Sequence, residues 1–391
     1  MISVEDAISR VLALSPPLGV ESVPLAQAAG RMMATPAIAR RDQPPFPASA
    51  MDGYAVSDSP QAGARLRVIG MAAAGHGFDG TLASGEALRI FTGAPVPAGA
   101  SHVVLQEDVE VQGETILLLP SVDQATNIRP RGQDFRAGDN LPPRLLRPAD
   151  LALLAAMNLP EVTVHRRPVV ALIATGDELV MPGETPREDQ IIASNHFALK
   201  AMAEAEGAEV RMLPIARDNE VALATVLGLA EGADIVVTIG GASVGDHDLV
   251  GRVAEGMGLD RAFYKIAMRP GKPLMAGRLR GAAMLGLPGN PVSAIVCGHL
   301  FLLPMIRAMQ GRPPGPLLRQ ARLAVDLGPN GPRAHYMRAR LGAGDGLPRI
   351  TPFDRQDSAL LHILTEADAL LVRPVGEGAR TAGDEVQYLP L

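Results

Sequence analysis

Acidic residues stand at the ends of three apolar runs in the middle of this chain. VVALIAT (169–175) leads into Asp177 and Glu178, and VRMLPIA (210–216) leads into Asp218. DIVVTIGG (234–241) leads into ASVGDHD, which supplies Asp246 and Asp248. In an open parallel sheet, ligands sit outside the carboxyl ends of the strands. Carboxylates converging on such an edge repel one another unless a cation joins them, and Mg²⁺ shared with substrate phosphates is the natural occupant. Any one of these acids is equally well read as a helix cap or loop residue; the set points to a site. Gly240, Gly241 and Ser243 in GGASVG put small residues where a strand turns into a helix, so backbone N–H groups can approach a phosphate. The run is neither a Walker loop nor a dinucleotide G-x-G-x-x-G.

Basic groups follow. The 36 basic residues are 33 Arg and only 3 Lys, and Lys265 and Lys272 lie seven positions apart in KIAMRPGKP, with Arg269 between them. Lys is a compact point charge and Arg a planar fork, so a retained Lys at a tight site has its own chemistry. LPGNPVS (287–293) reads as strand, tight turn and helix start, with Asn290 as N-cap and Pro291 at the first helical position. Pro288 lies in that turn, and Ser293 falls in the first helical turn, where free N–H groups favour an anion. Asp52 in SAMDGYA, Thr92 in TGAPVPAG and RPRGQD (129–134) read singly as turns. Cys297, in the apolar run IVCGHLFLL, reads as a buried structural thiol, and His247 as a loop residue.

These residues need elements to hold them. From 166 to about 310, apolar strands alternate with helical patterns at about 195–206, 220–231 and 291–310, the grammar of a parallel sheet with helices on both faces. Residues 3–14 form an amphipathic helix capped by Ser3 and Asp6, and 148–158 another helix. Between them lie a Pro-rich passage (40–55) and short β runs from 56 to 140, as if a β domain were inserted between two helical pieces of one domain. QGRPPGP (310–316) is a linker, followed by the alternating runs RLAVDL, HYMRARL, DALLVRPV and EVQYLPL of a small all-β domain.

Composition excludes several functions. One Cys rules out a disulfide framework and Cys-based metal centres, and fits a reducing compartment. Net charge −6 argues against a general nucleic-acid binder. No Trp and 3% aromatics argue against base-stacking on single strands. The N-terminus has no secretory pattern, and the apolar stretch 292–306 is shorter than the roughly 20 residues of a membrane span. The expectation is a cytoplasmic protein that binds neither nucleic acid nor membrane.

SAMDGYA, TGAPVP, RPRGQD, TGDEL, GGASVGDHD, AMRPGKP and LPGNPVS, in this order, resemble the MoeA / gephyrin E-domain family of molybdopterin molybdenumtransferases over essentially the whole length. The resemblance implies a multidomain α/β plus β protein. Its central doubly wound α/β domain (166–312) would be similar to molybdopterin adenylyltransferase. An elongated helical domain (1–43 plus 140–165), an inserted β domain (44–139) and a C-terminal β barrel (313–391) would complete it. It implies a homodimer whose active site is shared between protomers, Asp52, Thr92, Arg129 and Asp134 reaching the central domain of the partner. The substrates would be adenylylated molybdopterin and molybdate, with Mg²⁺ as cofactor and AMP as product. A molybdopterin adenylyltransferase would be the natural protein partner.

Carried over motif by motif, Glu178, Asp218, Asp246 and Asp248 would hold Mg²⁺ and nucleotide. Asp177, Gly240, Gly241, Ser243 and Pro288 would line the substrate site. Lys265, Arg269, Lys272, Ser293, Arg338 and Ser358 would handle molybdate and the phosphate and pterin end, with Asp52, Glu178, Asp218, Asp248, Lys265 and Lys272 as the catalytic set. Arg269 stands where many relatives carry Lys, and Ser101-His102 replaces a common Asp-Ala. Two other readings compete: a non-catalytic scaffold, and an adenylyltransferase acting one step earlier. Nucleotide preference separates them, because the adenylyltransferase would need ATP.

Overall fold

The computed structural model describes residues 1–241 and 249–391. The chain divides into two units, Met1–Glu21 with His165–Leu391, and Ser22–Val164.

The first unit is built on a six-stranded sheet in the order Glu209–Met212, Val169–Ala174, Ile235–Ile239, Ala282–Leu287, Met275–Leu279, Leu259–Tyr264. The first four are parallel, Met275–Leu279 runs against them and Leu259–Tyr264 with them, so the expected parallel sheet carries a mixed edge. The apolar runs alternate between two cores. Val170, Leu172, Ile235 and Val237 face one, and Ala171, Ile173 and Val236 face the other. Period-two alternation with both faces buried is what makes such strands read as continuous apolar runs.

Helices Glu220–Leu229 and Leu249–Gly256 cover the second face with Leu223, Val226, Val250 and Ala254. Asn195–Ala205 and the helical run 291–309 cover the first. That run is α-helical over Pro291–Cys297, π-helical over Gly298–Leu302 and α-helical again over Leu303–Met309. It is 19 residues long and apolar enough to cross a membrane, but 83% of it is buried inside the protein, as befits a core helix.

The N-terminal helix is Val4–Ala13, and Ser3 caps it by accepting the Asp6 N–H at 3.0 Å. Its buried stripe, Val4, Ala7 and Val11, packs into the first core with Phe301 and Ile306. Burying the two valines contributes about 3–6 kcal/mol. The first helix thus lends its apolar face to the central fold and falls in the first unit.

Residues after 318 close into a five-stranded barrel. Ala334–Gly342 pairs with Arg349–Pro352 and with Ala369–Arg373, and Arg319–Leu323 and Glu385–Pro390 complete the ring. Arg349–Pro352 was not among the expected runs, being four residues bounded by prolines. Met268–Arg269 adds in parallel to Ala334–His335, so part of KIAMRPGKP belongs to the barrel sheet.

The second unit contains a six-stranded sheet between residues 53 and 118. Residues 22–50 and 127–164 build a separate small core from Val23, Met33, Leu141 and Leu154. The expected helical character is corrected here. Pro148–Ala156 is the one α-helix of this unit, and around it residues 22–50 and 127–164 form short strand pairs.

Two half-buried histidines tie stability to pH. Burial, reinforced by Arg307, pushes His299 from 6.5 to about 4, and burial, with Arg269 next, does the same to His335. Between those values the unfolded chain takes up protons that the native protein does not. The contribution is therefore full above pH 6.5 and is lost as pH falls toward 4, a few kcal/mol in all, to order of magnitude. Urea unfolding at pH 7.5 and 4.5 checks this. A flat stability between them, or an unchanged slope in His335→Gln, would refute it.

Candidate functional site

Register levels the ends of the three central strands: Ala174 pairs with Ile239, and Ile239 with Leu287. The next residues, Thr175, Gly240 and Pro288, therefore emerge side by side, and all three line a cavity of about 600 Å³. Glu178, Asp218, Gly241, Gly289 and Asn290 line it too, as does Gly176. Five of the expected residues (Glu178, Asp218, Gly240, Gly241 and Pro288) are thus brought together at the carboxyl edge of the sheet.

The glycines there are required by space. Gly176 has φ +147°, and a Cβ on it would sit 2.3 Å from Glu178 Oε2. The Glu178 carboxylate thus lies folded over a bare α-carbon. A Cβ on Gly240 would meet the Thr175 carbonyl oxygen at 2.8 Å, and one on Gly241 would meet Val250 Cγ2 at 2.4 Å. Both have positive φ, so side chains are excluded twice over.

Asp177 was expected at the substrate; the structure gives it a bracing task. Its Oδ1 accepts the backbone N–H of Asp218 at 3.1 Å, joining the loops that carry the two cavity acids. Arg217, which sequence reasoning missed, completes the brace. Its Nη1 donates to the carbonyls of Gly176, Asp177 and Leu179 at 3.3, 3.0 and 3.0 Å. Its one signal is its place beside Asp218, just after the apolar run 210–216.

Among the described residues no three His, Cys, Asp or Glu side chains cluster as a metal site. Glu178 and Asp218 alone still suit Mg²⁺, which is commonly held by one or two carboxylates and completed by water and substrate phosphate. The cradle at Gly176 fits this use of Glu178. Ser243, Asp246 and Asp248 lie outside the described residues.

The basic turn closes on itself, Ile266 N–H donating to the Lys272 carbonyl and Lys265 N–H to that of Leu274. Lys265, at φ +69°, holds its Nζ 5.0 Å above the Tyr264 ring. Lys272 is exposed, and its neighbour Pro273 lines the cavity. Arg269 is exposed and in register with His335. Lys265 and Arg269 are not cavity-lining.

Two expected substrate residues, Arg338 and Ser293, do not line the cavity. Arg338 is 1% exposed, and its guanidinium donates to the carbonyls of Leu360, Arg355 and Asp357 at 2.9, 3.2 and 2.9 Å. It is an internal clamp on loop 355–360, with no surface left for a substrate. Ser293 is 4% exposed and does not line the cavity, because the helix turns that face into the core. Ser358, by contrast, sits against the helix start: Asn290 Nδ2 donates to its Oγ at 3.0 Å, and Val292 N–H to its carbonyl at 3.1 Å. Its neighbour Ala359 lines the cavity.

The segment Ile191–His196 forms a whole wall of the cavity and carried no sequence signal. Asn195 opens the helix behind it and bolts that helix to the LPGN turn, donating from Nδ2 to the Gly289 carbonyl at 2.6 Å.

In the second unit, Asp52 Oδ1 accepts both the backbone N–H and the hydroxyl of Thr92, each at 2.7 Å. Those bonds, the backbone one first, hold its carboxyl below the usual carboxylate range. Arg129 and Asp134 line a cleft of about 600 Å³ with Gly93, the residue after Thr92. All four expected residues of this unit are therefore at or beside one cleft.

The chain matches the MoeA N-terminal region (domain I and II) over residues 2–158, the probable molybdopterin binding domain over 171–308, and the MoeA C-terminal region (domain IV) over 320–391. It is 35% identical over 410 residues to the molybdopterin molybdenumtransferase of Nostoc sp., an alignment covering 100% of this chain and 94% of the relative. Identity to that of Haemophilus influenzae is 38% over 320 residues, covering 80% of this chain and 78% of the relative. The solved molybdopterin biosynthesis MoeA protein of Pyrococcus horikosii superposes with a TM-score of 0.84 at 30% identity, covering 100% of this chain and 99% of that one.

Proposed function

The chain belongs to the MoeA family, and from that premise we propose that it inserts molybdenum from molybdate into adenylylated molybdopterin, releasing AMP with the help of Mg²⁺. It is a molybdopterin molybdenumtransferase of molybdenum cofactor biosynthesis. The observation that carries the finer reading is the pair Glu178 and Asp218, on loops from two parallel strands, facing one cavity floored by glycine backbone.

Glu178 and Asp218 would hold Mg²⁺, which would supply charge neutralisation at the phosphates. The bare backbone at Gly240 and Gly241 lets a phosphate approach more closely than side chains would permit. Lys272, next to the cavity-lining Pro273, and Lys265 and Arg269 of the same turn would provide positive charge for oxyanions. Asp177 and Arg217 keep the acid-bearing loops in register. No covalent nucleophile is needed, since positioning and charge neutralisation suffice for this class of transfer. We assign Asp52, Thr92, Arg129 and Asp134 to the same reaction from a second protomer of a homodimer, an assembly that light scattering tests directly.

The deciding experiment is AMP release from adenylylated molybdopterin by purified protein with Mg²⁺, with and without molybdate. Release that rises at least tenfold with molybdate, and falls when Mg²⁺ is chelated, is the expected result. Folded protein that binds the nucleotide yet releases no AMP would overturn it.

A further inference from the structure

The cavity has two chemically different sides. Glu178, Asp218 and the glycines make up one, and the segment Ile191–His196 the other. Ile191 and Ile192 are 60% and 39% exposed, unusual for isoleucines that line a cavity. His196 is only 4% exposed, yet its Nδ1 has no hydrogen-bond partner. A buried polar atom left unpaired costs on the order of 1–3 kcal/mol, and a merely structural histidine is normally tied by one ring nitrogen to a carbonyl. Here no such bond is made by Nδ1. The ring instead packs beside Phe197 at 4.5 Å, and the preceding Asn195 fixes the helix start to the Gly289 carbonyl.

Resting on the nucleotide reading above, we propose that the Ile191–His196 wall is the subsite for a planar nitrogen heterocycle of the substrate, with His196 hydrogen-bonding the heterocycle's edge. Exposed isoleucines suit a flat, weakly polar ring and gain nothing from a phosphate. Burial lowers the His196 pKa, so the imidazole is neutral at pH 7, a partner for ring nitrogens and amino groups rather than for an anion. The substrate class carries two such rings, an adenine and a pterin, and the test separates them.

The probes are AMP, a simple pterin and inorganic pyrophosphate, titrated by calorimetry into wild type, His196→Phe and His196→Asn. Asn places an amide close to the position of Nδ1, so it separates lost hydrogen bonding from lost packing; thermal melts confirm that each variant is folded. His196→Phe is expected to weaken AMP or the pterin about tenfold, with pyrophosphate changed less than twofold and most of the loss restored in His196→Asn. The heterocycle that responds identifies the ring held. In ¹⁵N-histidine-labelled protein, the same ligand should shift the His196 Nδ1 resonance, which a purely structural residue would not show. Equal weakening of pyrophosphate, or wild-type affinity of both heterocycles for His196→Phe with an unmoved resonance, overturns the subsite alone. Wild-type protein that binds none of the three overturns the nucleotide reading and the subsite with it.

Discussion

Asp218→Asn should lower molybdate-dependent AMP release by about 100- to 1000-fold, the size of effect seen when one preorganised electrostatic group is removed from an active site. The fold should survive. The Asp218 side chain is exposed, and the bond that braces its loop uses its backbone N–H, which asparagine keeps. Asparagine retains an oxygen for Mg²⁺ but loses the charge, so the rate should recover partly at high Mg²⁺. The checks are single-turnover AMP release across a Mg²⁺ titration and a thermal melt, in which Tm should move by no more than about 2 °C. A rate within threefold of wild type would remove Asp218 from the metal and phosphate site.

The largest stability effect should come from Arg338→Met. Three carbonyls of loop 355–360 lose a buried donor, each at a cost of about 1–3 kcal/mol, so the total should be on the order of 3–5 kcal/mol after partial relaxation. Arg338→Lys should rescue little, because a single ammonium cannot span carbonyls that the guanidinium reaches with two nitrogens. Turnover should fall as well, since the freed loop carries Ser358 against Asn290 and Ala359 against the cavity. Denaturant unfolding of the barrel and substrate affinity, measured separately, distinguish this from direct contact. Full stability with weakened substrate binding would return Arg338 to the substrate.

Much of this was legible in the sequence because its physics is local. A strand buried on both faces must be apolar throughout, so VVALIAT and DIVVTIGG announced themselves, and the polar residues that follow had to lie at the sheet edge. Ser3 and Asp6 fixed the start of the first helix. What the helix packs against is not local: its period gives a buried face but names no partner, so the packing of Val4–Ala13 on Phe301 and Ile306 was out of reach. Arg338 did leave a signal. It is in phase with Ala334 and Tyr336 along an alternating strand, on the inward side, where an arginine must be fully bonded. Register is a property of strand pairs, and with it the alignment of Thr175, Gly240 and Pro288 was out of reach. So was the His196 wall, whose meaning rests on a missing hydrogen bond.

The packing of the first helix has a consequence for biogenesis. Its apolar stripe is covered by residues up to Ile306, whereas residues 22–164 form a contiguous unit that can fold as soon as they leave the ribosome. At about 5–20 residues per second, the helix waits for roughly 15–60 s after its own synthesis with its valines uncovered. Over that interval the nascent chain presents a short amphipathic segment of the kind that holding chaperones bind.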